Sequence, residues 1–436
     1  MGEAFLTRRG STGSAGGKIT FDNTPMVAVK TLPNAIKYRN NMAFATNNEY
    51  LALVGGSDSS GTNAKDINVF DRSGRQWYNE HPSALTEMAA AIVNEKLMTF
   101  GGASASGFCT NATYKWAMGD LIGGGNSAVR MESLTRAKRS LSVGVLQDDV
   151  IVLNGIDNST IPWQEMEKYQ PHSLNTSTVK AHEVLGINLS YVHAYGGVAN
   201  LTERSIVTAG GYDIGNDSLI NRVEAIIKNT EGGISRLTLA NLSAPQYEPA
   251  IAVIHSLGVK YILIGLGKKM STQQGTMISD GIVSTIDVYY YDGISDIQCN
   301  TPKYKSFSLS LPGNPSSAIG LSFSNYALFV VFYRGSTKSR GYLVRLYPFE
   351  VSSMEFDFHR SGAQGAVIGN DVGYIFGGFK NGQVTGDVEM IKLIRNAPIY
   401  PGMKYKLGDM TDEETASSFT LYPLKAESHL SGYMKL

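Results

Sequence analysis

Short stretches of alternating apolar and polar residues, separated by turn residues, recur along most of the chain. The most distinctive is an apolar stretch that ends in two glycines. It reads LALVGG at 51–56, LMTFGG at 97–102, IVTAGG at 206–211 and YIFGG at 374–378. Copies with an altered glycine pair read VIVLNG at 150–155, YILIGLG at 261–267 and FVVFYRG at 329–335. A hydrophobic period of two residues is typical of β-strands, so the pattern predicts an all-β protein.

The seven glycine-ended strands are the anchors of a larger repeat with a mean spacing of about 54 residues. A short alternating strand precedes each anchor and often ends in an Asn or Asp turn, as in MAFATNN at 42–48. After the anchor come a polar loop of variable length, a third strand such as DINVFD at 66–71, and usually a fourth strand. Four strands in about 50 residues are typical of one propeller blade. The repeat therefore predicts seven blades, each with strands a, b, c and d in chain order.

The seventh repeat lacks a fourth strand before the chain changes character at about residue 396. A spare alternating stretch, PMVAVKTL at 25–32, precedes the first strand a. We predict that residues 26–31 form strand d of the seventh blade, because closure by both ends of the chain removes an unpaired edge. The predicted organisation is an N-terminal arm at 1–24, a propeller at 25–396 and a C-terminal arm at 397–436.

The first repeat carries a set of motif residues: Gly55-Gly56, then Phe70-Asp71, then Trp77. An aromatic-Asp pair recurs at Tyr291-Asp292, whereas the other repeats lack a tryptophan at the position that corresponds to Trp77. Over residues 25–395 the chain resembles the kelch-repeat β-propeller family. The resemblance implies a seven-bladed kelch-type β-propeller that is closed by an N-terminal strand and carries short N- and C-terminal arms.

A second resemblance concerns the N-terminus. It reads MGEAFLTRRG, then a Gly/Ser tract, STGSAGG, and then KITFDN. This arrangement resembles the start of tail and baseplate proteins of phages and prophages of Gram-positive bacteria. The resemblance implies a virion protein that is present in multiple copies in a symmetric assembly. The two arms are then expected to bind other virion or tail proteins by adding strands to a neighbour.

Charge and hydropathy argue against several classes of partner. Lys and Arg together number 38, as do Asp and Glu, so the formal net charge is zero. A nucleic-acid binder carries a basic excess, and we therefore expect no nucleic-acid partner. The longest apolar run, YALFVVFY at 326–333, is far shorter than the roughly 20 residues of a membrane span. Because the N-terminus lacks the apolar stretch of a signal peptide, we expect synthesis in the bacterial host cytoplasm and a final place in the virion, without membrane insertion.

Motifs for catalysis or cofactor binding are missing from the sequence. No P-loop, nucleophile elbow or zinc-protease motif occurs. The segment from Asp71 to Trp77 has one residue too many for the Asp-box of propeller sialidases. Cys109 and Cys299 are expected to be ordinary buried thiols, and the seven histidines lack metal-ligand spacing. We therefore expect no catalytic residues, no metal, no cofactor and no enzymatic activity.

Binding is the better expectation. In a blade of strands a to d, the b–c loops and the d–a connections reach the same face of the ring. The b–c loops contain or adjoin four aromatic residues: Phe108, Trp163, Tyr212 and Phe379. Loops on a rigid scaffold often carry binding residues, and aromatic side chains anchor interfaces or stack on sugar rings. These four are the candidate binding residues, with packing against their own loops as the alternative.

The favoured function is a non-enzymatic structural or binding component of a phage or phage-like tail or baseplate. Its loops would contact a neighbouring virion protein, or a glycan or protein of the bacterial surface. One alternative is an intracellular kelch interaction adaptor, although the long amphipathic helices of such adaptors are not visible in the sequence. A carbohydrate-binding propeller is the other alternative. The fold alone does not decide among these functions.

Overall fold

Seven antiparallel sheets surround one axis in the computed structural model, which describes residues 25–394 and 419–426 apart from 160, 162, 172–180, 192, 214–215, 274–275, 292–304 and 423. Each sheet is one blade. Its strands a, b, c and d follow one another from the axis outward. The described chain begins with β1 (Met26–Leu32), which belongs to the last blade.

The first three blades are formed by consecutive strands. Blade 1 comprises β2 (Ala43–Thr46), β3 (Tyr50–Val54), β4 (Asp66–Asp71) and β5 (Gln76–Glu80). Blade 2 comprises β6 (Ala89–Val93), β7 (Lys96–Phe100), β8 (Thr113–Ala117), the short helix α1 (Met118–Ile122) and β9 (Val129–Arg130). Blade 3 comprises β10 (Ser142–Leu146), β11 (Asp149–Leu153), β12 (Glu165–Tyr169) and β13 (His182–Asn188). No helix in the described part of the chain has the length and apolar character needed to cross a membrane.

The later blades follow the same plan, and three of them carry a hairpin between strands b and c. Blade 4 comprises β14 (Gly197–Thr202), β15 (Ser205–Ala209), the hairpin β16 (Tyr212–Asp213) and β17 (Ser218–Leu219), β18 (Val223–Lys228) and β19 (Ile234–Thr238). Blade 5 comprises β20 (Ala250–Ser256), β21 (Val259–Gly265), the hairpin β22 (Lys268–Gln273) and β23 (Thr276–Ile282), β24 (Thr285–Tyr291) and β25 (Lys305–Ser308). Blade 6 comprises β26 (Pro315–Phe323), β27 (Tyr326–Tyr333), β28 (Ser339–Leu346) and β29 (Phe349–Phe356). Blade 7 comprises β30 (Gln364–Ile368), β31 (Val372–Phe376), the hairpin β32 (Phe379–Lys380) and β33 (Gln383–Val384), β34 (Val388–Ile394) and finally β1.

The ring is closed, as the sequence predicted. Each innermost strand contacts the innermost strand of the next blade, and β30 of blade 7 contacts β2 of blade 1. The spare N-terminal strand β1 pairs antiparallel with β34, with Met26 opposite Ile394 and Lys30 opposite Met390. The predicted seven-bladed, all-β propeller and its closure by residues near the N-terminus are therefore confirmed.

A segment near the C-terminus adds two further strands to the outside of the ring. β35 (Thr420–Tyr422) pairs with β1 of blade 7, and β36 (Lys425–Ala426) pairs with β29 of blade 6. We name residues 419–426 the C-terminal strap, because they connect the outer edges of two neighbouring blades. The sequence pattern predicts an arm for a neighbouring protein at residues 397–436, whereas this described part of it lies on the propeller itself. Residues 1–24 and the rest of the C-terminal arm lie outside the described residues.

The glycine pairs stand at a crowded point where strand b leaves the sheet. Gly55 and Gly56 have φ angles of 64° and 97°, in the left-handed region that favours glycine. A Cβ atom on Gly55 would lie 2.3 Å from the carbonyl oxygen of Leu85 in the next connection. A Cβ atom on Gly56 would lie 2.6 Å from the carbonyl oxygen of Asn40. The chain therefore needs glycine here both for its backbone angles and for the close approach.

The core lies between adjacent blades rather than within one sheet. Between blades 1 and 2, for example, Trp116 packs in one buried cluster with Val54 and Ile67. A buried polar pair also recurs, in which a side chain of the d–a connection meets one of strand c in the same blade. The pairs are Arg39–Asn68, Lys138–Glu167, His193–Glu224 and Arg360–Glu389. Burying such groups requires this pairing, because an unpaired buried charge costs several kcal/mol.

Candidate binding face

The b–c loops and the d–a connections meet at one end of the ring, which we name the loop face. The residue that follows the glycine pair forms an antiparallel bridge with the preceding d–a connection. The bridges join Ser57 to Asn40, Ala103 to Thr86, Ile156 to Arg139, Tyr212 to Ala194, Lys268 to Tyr247 and Phe379 to Ser361. Six of the seven blades thus start their loops from the same fixed position.

The loop face carries the four aromatic residues that the sequence singled out, but it keeps them in separate blades. Tyr212 and Phe379 occupy equivalent bridge positions in blades 4 and 7. Phe108 lies in the loop of blade 2 and Trp163 in that of blade 3. No hydrogen bond or ring contact joins any two of these four described residues. They do not form one aromatic site.

Trp163 packs locally. Its indole N–H donates to Asp157 Oδ2 at 3.1 Å. The guanidinium of Arg136 lies 3.6 Å from the centre of its ring system. Tyr212 is similarly engaged, since its hydroxyl donates to Asp217 in the same hairpin. These two aromatic residues follow the alternative of local packing.

Phe108 is the most exposed of the four, with 67% of its surface accessible. It closes a five-residue turn, in which the N–H of Ser104 donates to the carbonyl of Phe108 at 2.9 Å. Blade 3 has the same turn, with a 3.2 Å bond from the N–H of Asp157 to the carbonyl of Ile161. Ile161 is 49% exposed. Phe108 and Ile161 therefore occupy equivalent positions at the tips of neighbouring loops.

Ile161 is not among the candidate binding residues predicted from the sequence, although the sequence carries a signal for its position. Each of the first three loops places Asp or Ser two residues after its last anchor glycine and Ser two residues later: Asp58 and Ser60, Ser104 and Ser106, Asp157 and Ser159. Asp and Ser at these positions are typical of turns in which a side-chain oxygen accepts backbone N–H groups. Asp157 Oδ1, for example, accepts from the N–H groups of Ser159 at 2.8 Å and Ile161 at 2.9 Å.

Asparagine side chains connect these three loops. Asn63 of the first loop donates from Nδ2 to the carbonyl of Ala103 in the second at 2.9 Å. The N–H of Cys109 in the second donates to Asn158 Oδ1 in the third at 2.6 Å. We name the three connected loops, residues 57–65, 103–111 and the described residues of 157–164 (without 160 and 162), the loop platform. It is a preformed surface, because its shape depends on bonds within the free protein.

One cysteine lies in the platform. Cys109 is half-buried and forms no disulfide. Burial raises the pKa of its thiol, which lowers the fraction of nucleophilic thiolate. Cys299, the other predicted buried thiol, lies outside the described residues. Across the described residues, no three His, Cys, Asp or Glu side chains come together as a metal site.

An axial cavity of about 960 Å³ lies between innermost strands of the ring. Tyr195, Glu248 and Lys268 line its mouth. Lys268 forms an ion pair with Glu248 and lies 5.7 Å from the ring centre of Tyr247. The rings of Tyr195 and Tyr247 are 5.1 Å apart, and burial raises the pKa of both hydroxyls. The charges at the mouth are thus neutralised by each other, and its tyrosines stay protonated at neutral pH.

Comparison with known proteins supports the fold and goes no further. No family model matches the chain and no curated protein matches it, so the kelch resemblance stays a prediction. Among solved structures, the chain is similar to the structure of YjhT, with a TM-score of 0.51 and 13% identity. The match covers 72% of this chain and 97% of YjhT. At this identity the similarity shows a shared β-propeller fold alone.

Proposed function

We propose that the protein is a non-enzymatic structural and binding module whose loop face contacts a partner. One observation carries the proposal: the loop platform presents Phe108 and Ile161 at equivalent exposed positions on loops that are hydrogen-bonded to each other. A loop that is ordered before binding loses less entropy when the partner arrives. Exposed aromatic and aliphatic side chains on such a surface are suitable anchors for an interface.

The direction of the strands supports a module that contacts partners at both faces of the ring. Strand c runs from the loop face to the opposite face, and β1 pairs antiparallel with strand c of blade 7. Met26 and Ile394 therefore lie side by side at the face opposite the loop platform. The segment that forms the seven blades thus begins and ends at that face. Attachment through the chain ends would leave the loop platform free to contact something else.

Within this class we propose a component of a phage or phage-like tail or baseplate. The N-terminal resemblance, MGEAFLTRRG followed by a Gly/Ser tract, supports this assignment, and the separation of the chain ends from the loop platform agrees with it. The ends would bind other tail proteins, and the platform would face a neighbouring virion protein or the host surface.

Mass spectrometry of purified tail particles tests the assignment. We expect this chain among the particle proteins, in a fixed ratio to the major tail proteins. Its absence from intact particles would overturn the tail assignment.

A second experiment tests the loop platform. Particles that carry Phe108→Ser and Ile161→Ser should still contain the protein but adsorb to host cells at least tenfold more slowly, since both anchors are removed. Leu257→Ser is the matched control, because Leu257 is 71% exposed on the a–b turn of blade 5, at the opposite face. Equal adsorption by the double variant and the control would contradict a contact role for the platform.

A further inference from the structure

A second concave site lies at the outer rim of the loop face, beside blade 1. It is a cleft of about 750 Å³ between the connection at 34–38 and the outer strands β4 and β5. Tyr38, Tyr78, Gln76 and Asp58 line it. This volume falls within the range of roughly 300–1,000 Å³ that is usual for pockets for small ligands. We name it the outer cleft.

Two exposed tyrosines line the outer cleft. Tyr38 is 58% exposed and Tyr78 is 49% exposed. The hydroxyl of Tyr38 donates to Asn34 Oδ1 at 2.9 Å, which fixes the position of this ring. Lys37 Nζ lies 5.5 Å from the centre of the Tyr78 ring. Both rings are held by neighbours and still present apolar surface to solvent, a combination suited to a ligand with both apolar and polar surfaces.

One cation, Lys37, and two carboxylates, Asp58 and Asp66, line the cleft. The carboxylate of Asp66, almost fully buried on the floor of the cleft, forms a 2.7 Å ion pair with Lys37. Asp58 Oδ1 accepts from the N–H groups of Ser60 at 2.8 Å and Thr62 at 2.9 Å. With Lys37 paired to Asp66, no described residue that lines the cleft offers an unpaired cation to a phosphate, sulfate or carboxylate. The second carboxylate, Asp58, disfavours an anionic ligand further, so a ligand without negative charge suits this lining.

Several polar atoms remain for such a ligand. Gln76 donates from Nε2 to the carbonyl of Ala35, which leaves its Oε1 as an acceptor. Asn34 accepts through Oδ1, which leaves its Nδ2 as a donor. Among the bonds of the described residues, neither Gln76 Oε1 nor Asn34 Nδ2 has a partner. The cleft thus combines two exposed rings with an amide donor and an amide acceptor.

We infer that the outer cleft binds a neutral saccharide. A sugar ring offers an apolar C–H face to an aromatic ring and hydroxyls to amide groups. That combination matches two tyrosines beside Gln76 and Asn34, with no unpaired cation among the described lining residues. The inference rests on the proposed contact role of the loop face and adds the chemical class of one ligand. On a bacterial surface the ligand would be a neutral segment of a wall polysaccharide.

A glycan array that carries neutral hexose, deoxyhexose and N-acetylhexosamine oligosaccharides beside anionic teichoic-acid fragments tests the inference. We expect the full-length protein to bind neutral oligosaccharides in preference to the anionic fragments. Tyr38→Ala and Tyr78→Ala should each weaken binding at least tenfold, measured by calorimetry with the best glycan. Tyr78→Phe, which keeps the ring, should retain binding within about threefold. Leu257→Ser, at the opposite face of the ring, should bind as the unaltered protein does.

Three outcomes would overturn the saccharide site: no binding to any neutral glycan, a preference for the anionic fragments, or binding that is unchanged in Tyr38→Ala. Tyr38 lies in an exposed connection, so its variant keeps the test valid if Tyr78→Ala fails to fold. The proposed function fails separately, since a protein that binds no glycan but is found in tail particles contradicts only the saccharide inference.

Discussion

At the scale of single residues, the glycine pair shows why a short motif marks the fold so clearly. Left-handed backbone and close approach coincide at Gly55, so no other residue fits without strain. Gly61, in the first loop, also has a positive φ of 81° but has no atom within 4 Å of a would-be Cβ. A comparison of Gly55 with Gly61 therefore separates the energetic cost of the left-handed backbone from the energetic cost of crowding.

We predict that Gly55→Ala destabilises the propeller much more than Gly61→Ala. The left-handed backbone alone costs about 1–2 kcal/mol for a residue with a Cβ atom, and this cost applies to both variants. Gly55→Ala must also displace the carbonyl of Leu85. Urea unfolding of both variants measures the difference in the free energy of unfolding. Equal losses would show that crowding at the glycine pair does not contribute.

A second prediction about single residues concerns a row of buried charged groups in blade 3. Glu167 Oε2 faces His182 Nε2 at 2.9 Å, and its Oε1 accepts from Lys138 at 2.9 Å. Burial alone would raise the pKa of Glu167, but the bond from His182 and the charge of Lys138 outweigh it and lower the pKa to about 2. Burial opposes protonation of His182, but the bond to Glu167 outweighs it and raises its pKa above 6.5.

The two pKa shifts place the maximum of this stability contribution between pH 4.5 and pH 6.5, the ordinary pKa values of the two groups. The contribution of Glu167 is complete above pH 4.5 and is lost as the pH falls toward 2. The contribution of His182 is complete below pH 6.5 and is lost as the pH rises through its raised pKa. We expect His182→Gln to remove the loss above pH 6.5, measured as urea midpoints across the pH range. His255→Gln, at an exposed histidine, is the control, and a loss that persists in His182→Gln would assign it to another group.

At the scale of elements, the C-terminal strap shows that part of the predicted C-terminal arm pairs with the ring itself. β35 covers the edge of β1, and β36 covers the edge of β29, so one segment connects blades 6 and 7. The ring of Tyr422 packs edge-on against Phe356, with centres 4.9 Å apart. Phe419 is also buried, and Lys30 lies over its ring. The strap thus reinforces the seam that the N-terminal strand closes.

We predict that deleting residues 419–436 lowers the stability of the ring by several kcal/mol, because burial of one large aromatic side chain contributes about 1.5–3 kcal/mol. Deleting only residues 427–436 keeps the strap and should have little effect. Thermal melting and limited proteolysis of the two truncated proteins provide the comparison. Identical melting temperatures would show that the strap adds no stability.

At the scale of the whole molecule, closure depends on a pairing between residues more than 350 positions apart, since Lys30 lies opposite Met390. Without β1, the backbone edge of β34 in blade 7 would be unpaired. Open edges of this kind recruit strands from other molecules. The position of β1 therefore controls whether the protein stays a separate ring.

We predict that a protein that starts at residue 25 forms the same ring, whereas one that starts at residue 33 associates with other copies. Size-exclusion chromatography with light scattering distinguishes the two results. A monodisperse ring from the shorter protein, with an unchanged melting temperature, would contradict closure by β1.

Much of the architecture was readable from the sequence because a blade is a local unit. The anchor strand, its glycines and the following loop lie within one repeat, so their pattern identifies strand b without knowledge of the neighbours. Phe108 was identified because an aromatic residue in a loop is conspicuous. Ile161, the strap and the outer cleft were not identified, since their significance depends on residues in other repeats.

The sequence by itself determined the number of blades, the order of their strands and the strand that closes the ring. These follow from hydrophobic period and glycine placement, which act over a few residues. Only the tertiary structure decided which loop side chains are exposed together, where the strap lies and that Tyr38 and Tyr78 line the same cleft. Such features arise from packing between segments that the ring brings together, and no short pattern encodes the distance between them.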